Sequence, residues 1–436
     1  MMNTKISYIF MTLILSLHFS SAVAVEFGPG AKKTVRAESQ SEAKSALAET
    51  YNGPKFDLVI PVLDPGIPDD STKWEGLGIW PELRRAEAVF YAEQVAATLA
   101  ETGVFSTVMV VPDTAVSADL YLLGEIKESN GEDLKIQFDF YDTTGKRLIK
   151  NYNLSGRVTA GKLADLRTKE SDPYSSAYLA LARKIVDELR KIEEKDQKIK
   201  IKNDKYIAKG KYKKVKPEAL ENIRMVRNAL YAQEMSPDEF GDLLKEKRSV
   251  STLTYMPDFE QENWLRIDSI LVADSRFNQV MHNNYQKFAD NMHESYRLWQ
   301  ADAYPIAKAQ RDAQSAANAA LVGAIFSAAI AGSLAKNSNS TAGKVGAATA
   351  ALASLGALNK SFKERDNSKQ QAAQLNELGG SVSGILAPQV IAMENREVEL
   401  TGSASEQQAQ WSTLLKELYA EGMQDFSDLE IVASTD

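Results

Sequence analysis

The chain of 436 residues contains no cysteine. This absence excludes disulfide bridges, a cysteine nucleophile and the acylated cysteine that anchors lipoproteins. Small secreted domains usually depend on such bridges, whereas a chain of this length can rely on a buried core. With 44% apolar and 8% aromatic residues, the chain can bury cores for two or three domains.

Histidine is almost as scarce, with His18, His282 and His293 as its three occurrences. Neither His282 nor His293 stands in a nucleophile elbow or a recognisable triad, and no paired-carboxylate motif has positive support. The two are about 16 Å apart along a helix, too far to share one metal ion. We therefore expect a non-enzymatic protein without catalytic, cofactor-binding or metal-binding residues.

Basic residues are outnumbered by acidic ones, and the formal net charge of −8 argues against nucleic acid as a partner. The exception is the segment 198–216, which holds nine lysines and one acid. Such a run either contacts anionic lipid headgroups or cell-wall polymer, or is a solvated connector between domains. The candidate basic patch consists of Lys198, Lys200, Lys202, Lys211, Lys213 and Lys214.

The N-terminal sequence has the features of a secretory signal peptide. Lys5 precedes an apolar run over residues 6–19, and Ala22 and Ala24 form a small-x-small cleavage site. We expect residues 1–24 to be removed and residues 25–54 to form a linker or flexible arm. The predicted location is the periplasm or the outer-membrane periphery of a Gram-negative bacterium.

Residues 55–195 have the pattern of an α/β domain. A strong helix begins at Pro81, stops at Gly103, and is followed by hairpin turn chemistry at Asn130-Gly131 and Thr144-Gly145. The predicted strands are 56–63, 108–111, 119–126, 134–141 and 147–152, and a second helix covers 173–195.

This domain resembles the α/β domain of the curli-secretion channel lipoproteins, of the lipoprotein activators of penicillin-binding proteins and of the TolB N-terminal domain. The resemblance is carried by FDLVIPVLD, RRAEAVFYAEQVAATLAETGVFSTVMVV, ADLYLLGEIKES and LKIQFDFYDTTGKRL. It implies an accessory module of the envelope. The chain departs from those families in lacking the acylated cysteine, and it has no segments typical of a membrane β-pore.

The rest of the chain is predicted to be mostly helical. Residues 196–258 are expected to form a Lys-rich connector with short helices at 216–230 and 236–246, and 259–315 a long helix of the coiled-coil kind. An 11-residue repeat there relates Met281, Tyr285 and Phe288 to Met292, Tyr296 and Trp299, which places both sets on one stripe. Residues 359–436 are predicted as a helix, a small β-hairpin and a last helix, so the fold class is α+β.

Residues 316–358 contain two Ala/Gly-rich runs around a polar loop, typical of a glycine-zipper helical hairpin. Small side chains four residues apart allow two helices to approach closely, as in lipid or in tight oligomers. A self-associating hairpin, membrane association and a low-complexity segment all stay open. The candidate interaction residues are Gly323, Ala324, Ala328, Gly332, Gly343, Gly346, Ala350 and Ser354.

Trp74 and Trp80 lie in a Gly-rich loop and are the other candidate interaction residues. Together these features predict an exported accessory or assembly component of a cell-envelope complex, forming a homo-oligomer and binding an envelope protein. One alternative is a pore-forming or membrane-disrupting protein that inserts the hairpin. Another is a peptidoglycan-binding or cell-wall-modifying protein.

Overall fold

The computed structural model describes residues 40–74, 79–159, 172–258, 260–331, 389–393, 397–426 and 429–433. All of them belong to one unit, Gln40–Asp436. The predicted signal peptide, residues 332–358 of the Gly/Ala-rich segment and the predicted helix that follows it lie outside the described residues. The architecture is α+β, as the sequence predicts.

A five-stranded mixed sheet forms the N-terminal part of the fold. Its strands are β1 (Asp57–Pro61), β2 (Thr107–Val111), β3 (Leu120–Ser129), β4 (Asp133–Asp142) and β5 (Arg147–Arg157). The order is β2-β1-β3-β4-β5, with β1 parallel to both neighbours and β3, β4 and β5 antiparallel. The strands match the predicted segments because buried Ile136 and Phe138 alternate with half-exposed Gln137 and Asp139.

Three helices accompany this sheet: α1 (Gln40–Ala48), α2 (Pro81–Ala100) and α3 (Ser175–Ile207). Helices α2 and α3 contact the strands and each other, and α1 packs on α3. Two predictions are wrong here. Residues 40–48 form a helix within the expected linker, and α3 continues past 195 into the lysine run, because lysine is a good helix former.

The segment between α3 and the long helix is structured. It contains α4 (Ala219–Met235), the single turn α5 (Pro237–Phe240) and the hairpin strands β6 (Leu244–Lys247) and β7 (Val250–Leu253). The predicted helix at 236–246 is therefore wrong beyond Phe240. Its end is a hairpin whose turn residues Arg248 and Ser249 both have positive φ, of 56° and 59°, a conformation usually signalled by Asn-Gly.

The long helix α6 (Glu262–Ala331) has 70 residues and is about 105 Å long at 1.5 Å per residue. It continues without interruption across the predicted boundary at 315/316. Its first part packs in a core with α4 and the C-terminal elements, and its later part joins the core of the sheet domain. The sheet domain's core therefore includes residues well beyond the predicted limit at 195.

The C-terminal elements are β8 (Gln389–Ala392), β9 (Glu397–Leu400), α7 (Ala404–Ala420) and β10 (Glu430–Ala433). The predicted hairpin and last helix are confirmed, and α7 begins with a capping box between Ser403 and Glu406. Strand β10 was not predicted. It pairs antiparallel with β8, so the hairpin becomes a three-stranded sheet of order β10-β8-β9.

Candidate functional site

Helix α6 covers the edge of the five-stranded sheet at β2. The backbone N–H of Val110 donates to His282 Nδ1 over 3.1 Å. His282 Nδ1 also lies 3.1 Å from Glu93 Oε1. An edge strand normally leaves such groups unpaired, so the histidine ties the helix to the sheet. The members of the 11-residue repeat that are buried are Met281, Tyr285, Met292, Tyr296 and Trp299.

A polar cluster lies buried where α6 crosses α2. The Tyr296 hydroxyl donates to Glu87 Oε1 over 2.7 Å, and the Ser129 hydroxyl donates to the same oxygen over 2.6 Å. Arg84 Nε lies 3.1 Å from Glu87 Oε2, and the Tyr91 hydroxyl is 2.5 Å from that of Tyr296. Burial raises the pKa of the Glu87 carboxyl, and the nearby Arg84 guanidinium opposes that shift.

The cluster continues at the next residue of α6. Arg297, which is completely buried, forms an ion pair with Asp172 and donates to Gln300 Oε1 over 2.7 Å. Gln300 in turn donates to the Tyr174 hydroxyl over 2.9 Å, and that hydroxyl donates to the Glu132 carbonyl. We call these residues the junction cluster: Arg84, Glu87, Tyr91, Ser129, Asp172, Tyr174, Tyr296, Arg297 and Gln300.

The turn between β3 and β4 also contacts α6. Gly131 has a φ of +89°, and a Cβ built on it would lie 2.6 Å from the Cβ of Ala303, so only glycine fits this approach. Nearby, Arg311 forms an ion pair of 3.2 Å with Glu132. Among the described side chains this is the last contact of α6 with the sheet domain before Ala331.

The polar groups of the junction cluster are suited to a structural role. Glu87 accepts hydrogen bonds on both carboxylate oxygens, and Arg84, Glu87, Tyr91 and Tyr296 are all buried. A general acid or base must reach a substrate proton, and these groups are closed off by packed aromatic rings. The cluster is thus suited to fix the register of α6 on the sheet domain, since buried charges tolerate few alternative partners.

A cleft of 610 Å³ lies elsewhere, between the loop 52–56, α3 and α4. Three of its charged side chains make hydrogen bonds with the backbone of neighbouring segments. Asp196 accepts from the N–H groups of Ala219 and Leu220 at the start of α4, over 2.9 and 2.8 Å, and Glu193 accepts from Asn52. Arg224 donates to the Lys55 carbonyl. In the part of the chain that the structure describes, no three His, Asp or Glu side chains are grouped to hold a metal ion.

The side chains of both tryptophans are half-buried. Trp74 is half-buried, with its indole N–H donating to the Pro68 carbonyl over 2.7 Å. Trp80 precedes α2 and packs against the core of the sheet domain. The loop residues 75–78 between them lie outside the described residues.

Three of the Gly/Ala-segment candidates, Gly323, Ala324 and Ala328, lie on the last turns of α6. The others, Gly332, Gly343, Gly346, Ala350 and Ser354, lie outside the described residues. Within the described part of the chain, no helix is both long enough and apolar enough to cross a membrane.

All six lysines of the candidate basic patch are exposed. Lys198, Lys200 and Lys202 lie on the last turns of α3, and the other three precede or form the 3₁₀ turn Tyr212–Lys214. The sequence reading missed the apolar residues exposed among them, and it missed the junction cluster altogether. The signal for the latter is a pair of charges, Arg84 and Glu87, on a helix that is otherwise apolar on most sides.

Compared with protein-family models, curated proteins and solved structures, the chain has no match.

Proposed function

We propose that the protein is a non-enzymatic, exported accessory or assembly component of a cell-envelope complex. In this proposal the α+β body carries the Gly/Ala-rich segment 316–358, which begins within α6, and that segment mediates oligomerisation or membrane association. The observation that carries the proposal is the continuity of α6 from the junction cluster to Ala331.

In this proposal α6 connects the α+β body to the Gly/Ala-rich segment. The junction cluster and the His282 contact fix α6 on the sheet domain at positions 282–300. From Asp312 the helix runs about another 30 Å to Ala331. The helix is continuous over this distance, with Pro305 in its interior, so a contact made by the segment would be connected to the body through α6.

The five-stranded sheet offers less support for strand-mediated partner binding. Edge strand β2 is covered by α6, and the other edge strand, β5, carries a bulge at Asn151, which has a φ of +50°. The Asn151 N–H is taken by Asp139 over 2.6 Å. Bulges of this kind protect an edge from adding a further strand. We therefore assign the binding of other chains to the Gly/Ala-rich segment.

The test compares cells that make the parent protein, a deletion of residues 316–358, or point variants. Ala324→Leu with Ala328→Leu fills the small-residue stripe, and Ala319→Leu with Ala329→Leu adds the same volume off the stripe. Envelope fractionation and native mass are measured for each. We expect the deletion and the stripe variant to lose membrane association or assembly size, and the off-stripe variant to behave like the parent.

A deletion that leaves both the fractionation and the native mass unchanged would overturn the proposal. A loss that is equal for the stripe and off-stripe variants would overturn the close-packing mechanism. Far-ultraviolet circular dichroism of the purified variants checks that the α+β body stays folded.

A further inference from the structure

The end of α3 and the chain that returns from it form a projecting basic element, residues 198–216, which we call the lysine finger. Beyond Asp196 the one buried side chain of α3 is Asn203, so the last three turns extend away from the core. All nine lysines of the finger are exposed. The lysine finger differs in sign from the rest of the chain: its formal charge is +8, and the remaining residues sum to −16.

Hydrogen bonds hold the lysine finger in a defined conformation. The Asn203 side chain makes two hydrogen bonds with the backbone of Lys216, donating to its carbonyl over 2.8 Å and accepting from its N–H over 3.0 Å. At the tip, Gly210 has a φ of +64°, and the Lys211 N–H donates to the Tyr206 carbonyl. These contacts fold the returning chain back along α3 and hold its lysines beside those of the helix.

Apolar side chains are exposed between the lysines. Ile201, Ile207, Tyr212 and Val215 are 56%, 46%, 68% and 39% exposed. Ile201 lies three residues after Lys198 and four before Lys205, so both lysines flank it on the helix surface. Exposed isoleucine and valine within a cationic surface are costly in water and are typical of elements that lie in a membrane interface.

We propose that the lysine finger docks on a bilayer that contains anionic phospholipid. The ammonium groups would bind headgroup phosphates while Ile201, Ile207 and Tyr212 enter the layer below them, with the lysine stems extending back to the surface. Nucleic acid is disfavoured because aliphatic side chains do not stack on bases, and one exposed aromatic ring, that of Tyr212, is too few for a stacking platform. The inference does not depend on the proposed role of segment 316–358.

The experiment measures binding of the purified protein to vesicles of phosphatidylglycerol and phosphatidylcholine, with pure phosphatidylcholine vesicles for comparison. The charge variant is Lys198→Gln, Lys202→Gln, Lys205→Gln. Its matched control is Lys150→Gln, Lys245→Gln, Lys287→Gln, three lysines exposed on β5, β6 and α6. The apolar variant is Ile201→Ser, Tyr212→Ser, which changes no charge.

We expect binding to the anionic vesicles alone, weakened by added salt. The charge variant should lose affinity by roughly a hundredfold, its control should lose little, and the apolar variant should lose about tenfold. The variants alter exposed side chains, so unchanged thermal unfolding is expected for all of them.

Several outcomes would overturn the proposal. The first is parent protein that does not bind anionic vesicles. The second is an apolar variant that binds as the parent does while the charge variant fails, which would indicate a hydrated anionic polymer as the partner. The third is binding that disappears in Ala324→Leu, Ala328→Leu but survives in both finger variants, which would assign membrane contact to the Gly/Ala-rich segment instead.

Discussion

The two parts of α6 both pack in apolar cores but differ in the polar groups buried with them. The first part, up to Met281, packs into an apolar core with α4 and α7, in which Phe277 stacks on Trp411 with ring centroids 4.9 Å apart. Its one buried carboxylate is Asp274, which accepts from the Trp411 indole N–H over 3.0 Å. The later part packs in the apolar core of the sheet domain and in addition forms the junction cluster, with ion pairs and hydroxyl groups that donate to a carboxylate.

Because of this difference, the contacts that stabilise the fold are not the same as those that determine the position of α6 along the sheet domain. Apolar contact is roughly proportional to the area removed from water and tolerates small shifts of one helix along another. A buried ion pair adds little net stability, but leaving either partner alone is costly, so the pair admits one alignment. Apolar contacts thus attach both parts of α6, and the junction cluster determines where along the sheet domain the helix sits.

The largest effect that tests this division is expected for Arg297→Met. The substitution keeps the volume but leaves Asp172 without its guanidinium and Gln300 without its donor. We expect a loss of about 3 kcal/mol in the free energy of unfolding, measured by urea titration. Lys287→Met, on an exposed position of the same helix, serves as the control.

Adding Asp172→Asn to Arg297→Met should recover part of that loss, because the stranded charge is then removed. A single Arg297→Met variant within about 0.5 kcal/mol of the parent, which is typical of surface changes, would contradict the role given to the junction cluster.

The second effect concerns the one carboxylate of the apolar part. Burial raises the pKa of Asp274 to about 6, although its hydrogen bonds with Trp411 and Asn278 oppose the shift. The folded state therefore holds this proton more tightly than the unfolded state. Between pH 4 and pH 6 the free energy of unfolding should fall as pH rises, by up to about 3 kcal/mol from this group.

Asp274→Asn should remove that part of the pH dependence and stabilise the protein at pH 8 by about 2 kcal/mol. The new amide can still accept from Trp411, and rotation of the Asn278 amide offers it an acceptor, since Asn278 Oδ1 has no partner among the described residues. Urea titrations at pH 4.5 and pH 8 measure the change. Asp290→Asn, an exposed acid on α6, is the control, and an unchanged slope in Asp274→Asn would refute the assignment.

The smallest effect is expected for Tyr296→Phe. The substitution removes one hydroxyl that donates to Glu87 and contacts Tyr91, and it leaves the ring packing intact. We expect a loss of about 1 to 2 kcal/mol, since a buried acceptor loses one of several partners. Tyr285→Phe, on the apolar side of the same stripe, should cost less.

A double-mutant cycle of Tyr296→Phe with Tyr91→Phe sharpens this prediction. Two hydroxyls in one network should show a coupling free energy above about 0.5 kcal/mol. Strict additivity would mean that the hydroxyls act independently and that the network is not cooperative.

Much of the fold is predictable because it depends on local periodicity. The strands of the five-stranded sheet and the last helix α7 follow from alternation, turn residues and an apolar stripe. The wrong predictions of secondary structure also have local causes. Lysines in the last turns of α3 suggest a connector although they favour helix, and the turn at Arg248-Ser249 lacks the residues that usually announce a hairpin.

The two candidate sites differ in how much of each can be predicted from the sequence. The lysine run is visible in the sequence, but the exposure of Ile201 and Tyr212 within it is not, because both residues also suit a core. For the junction cluster the sequence offers one signal, the charges of Arg84 and Glu87 on a largely apolar helix, and it does not show that Arg297 is buried with them. The partner of Arg297, Asp172, lies 125 residues away along the chain.

The sequence by itself determined the α+β class, the order of most elements and the concentration of positive charge in residues 198–216. These properties depend on spacing, turn chemistry and composition, which act over a few residues. Only the tertiary structure decided that α6 belongs to two cores, that His282 caps the β2 edge and that Glu87 is buried beside Tyr296. The reason is that burial and hydrogen-bond pairing between distant segments are properties of the packed chain, and no local pattern encodes them.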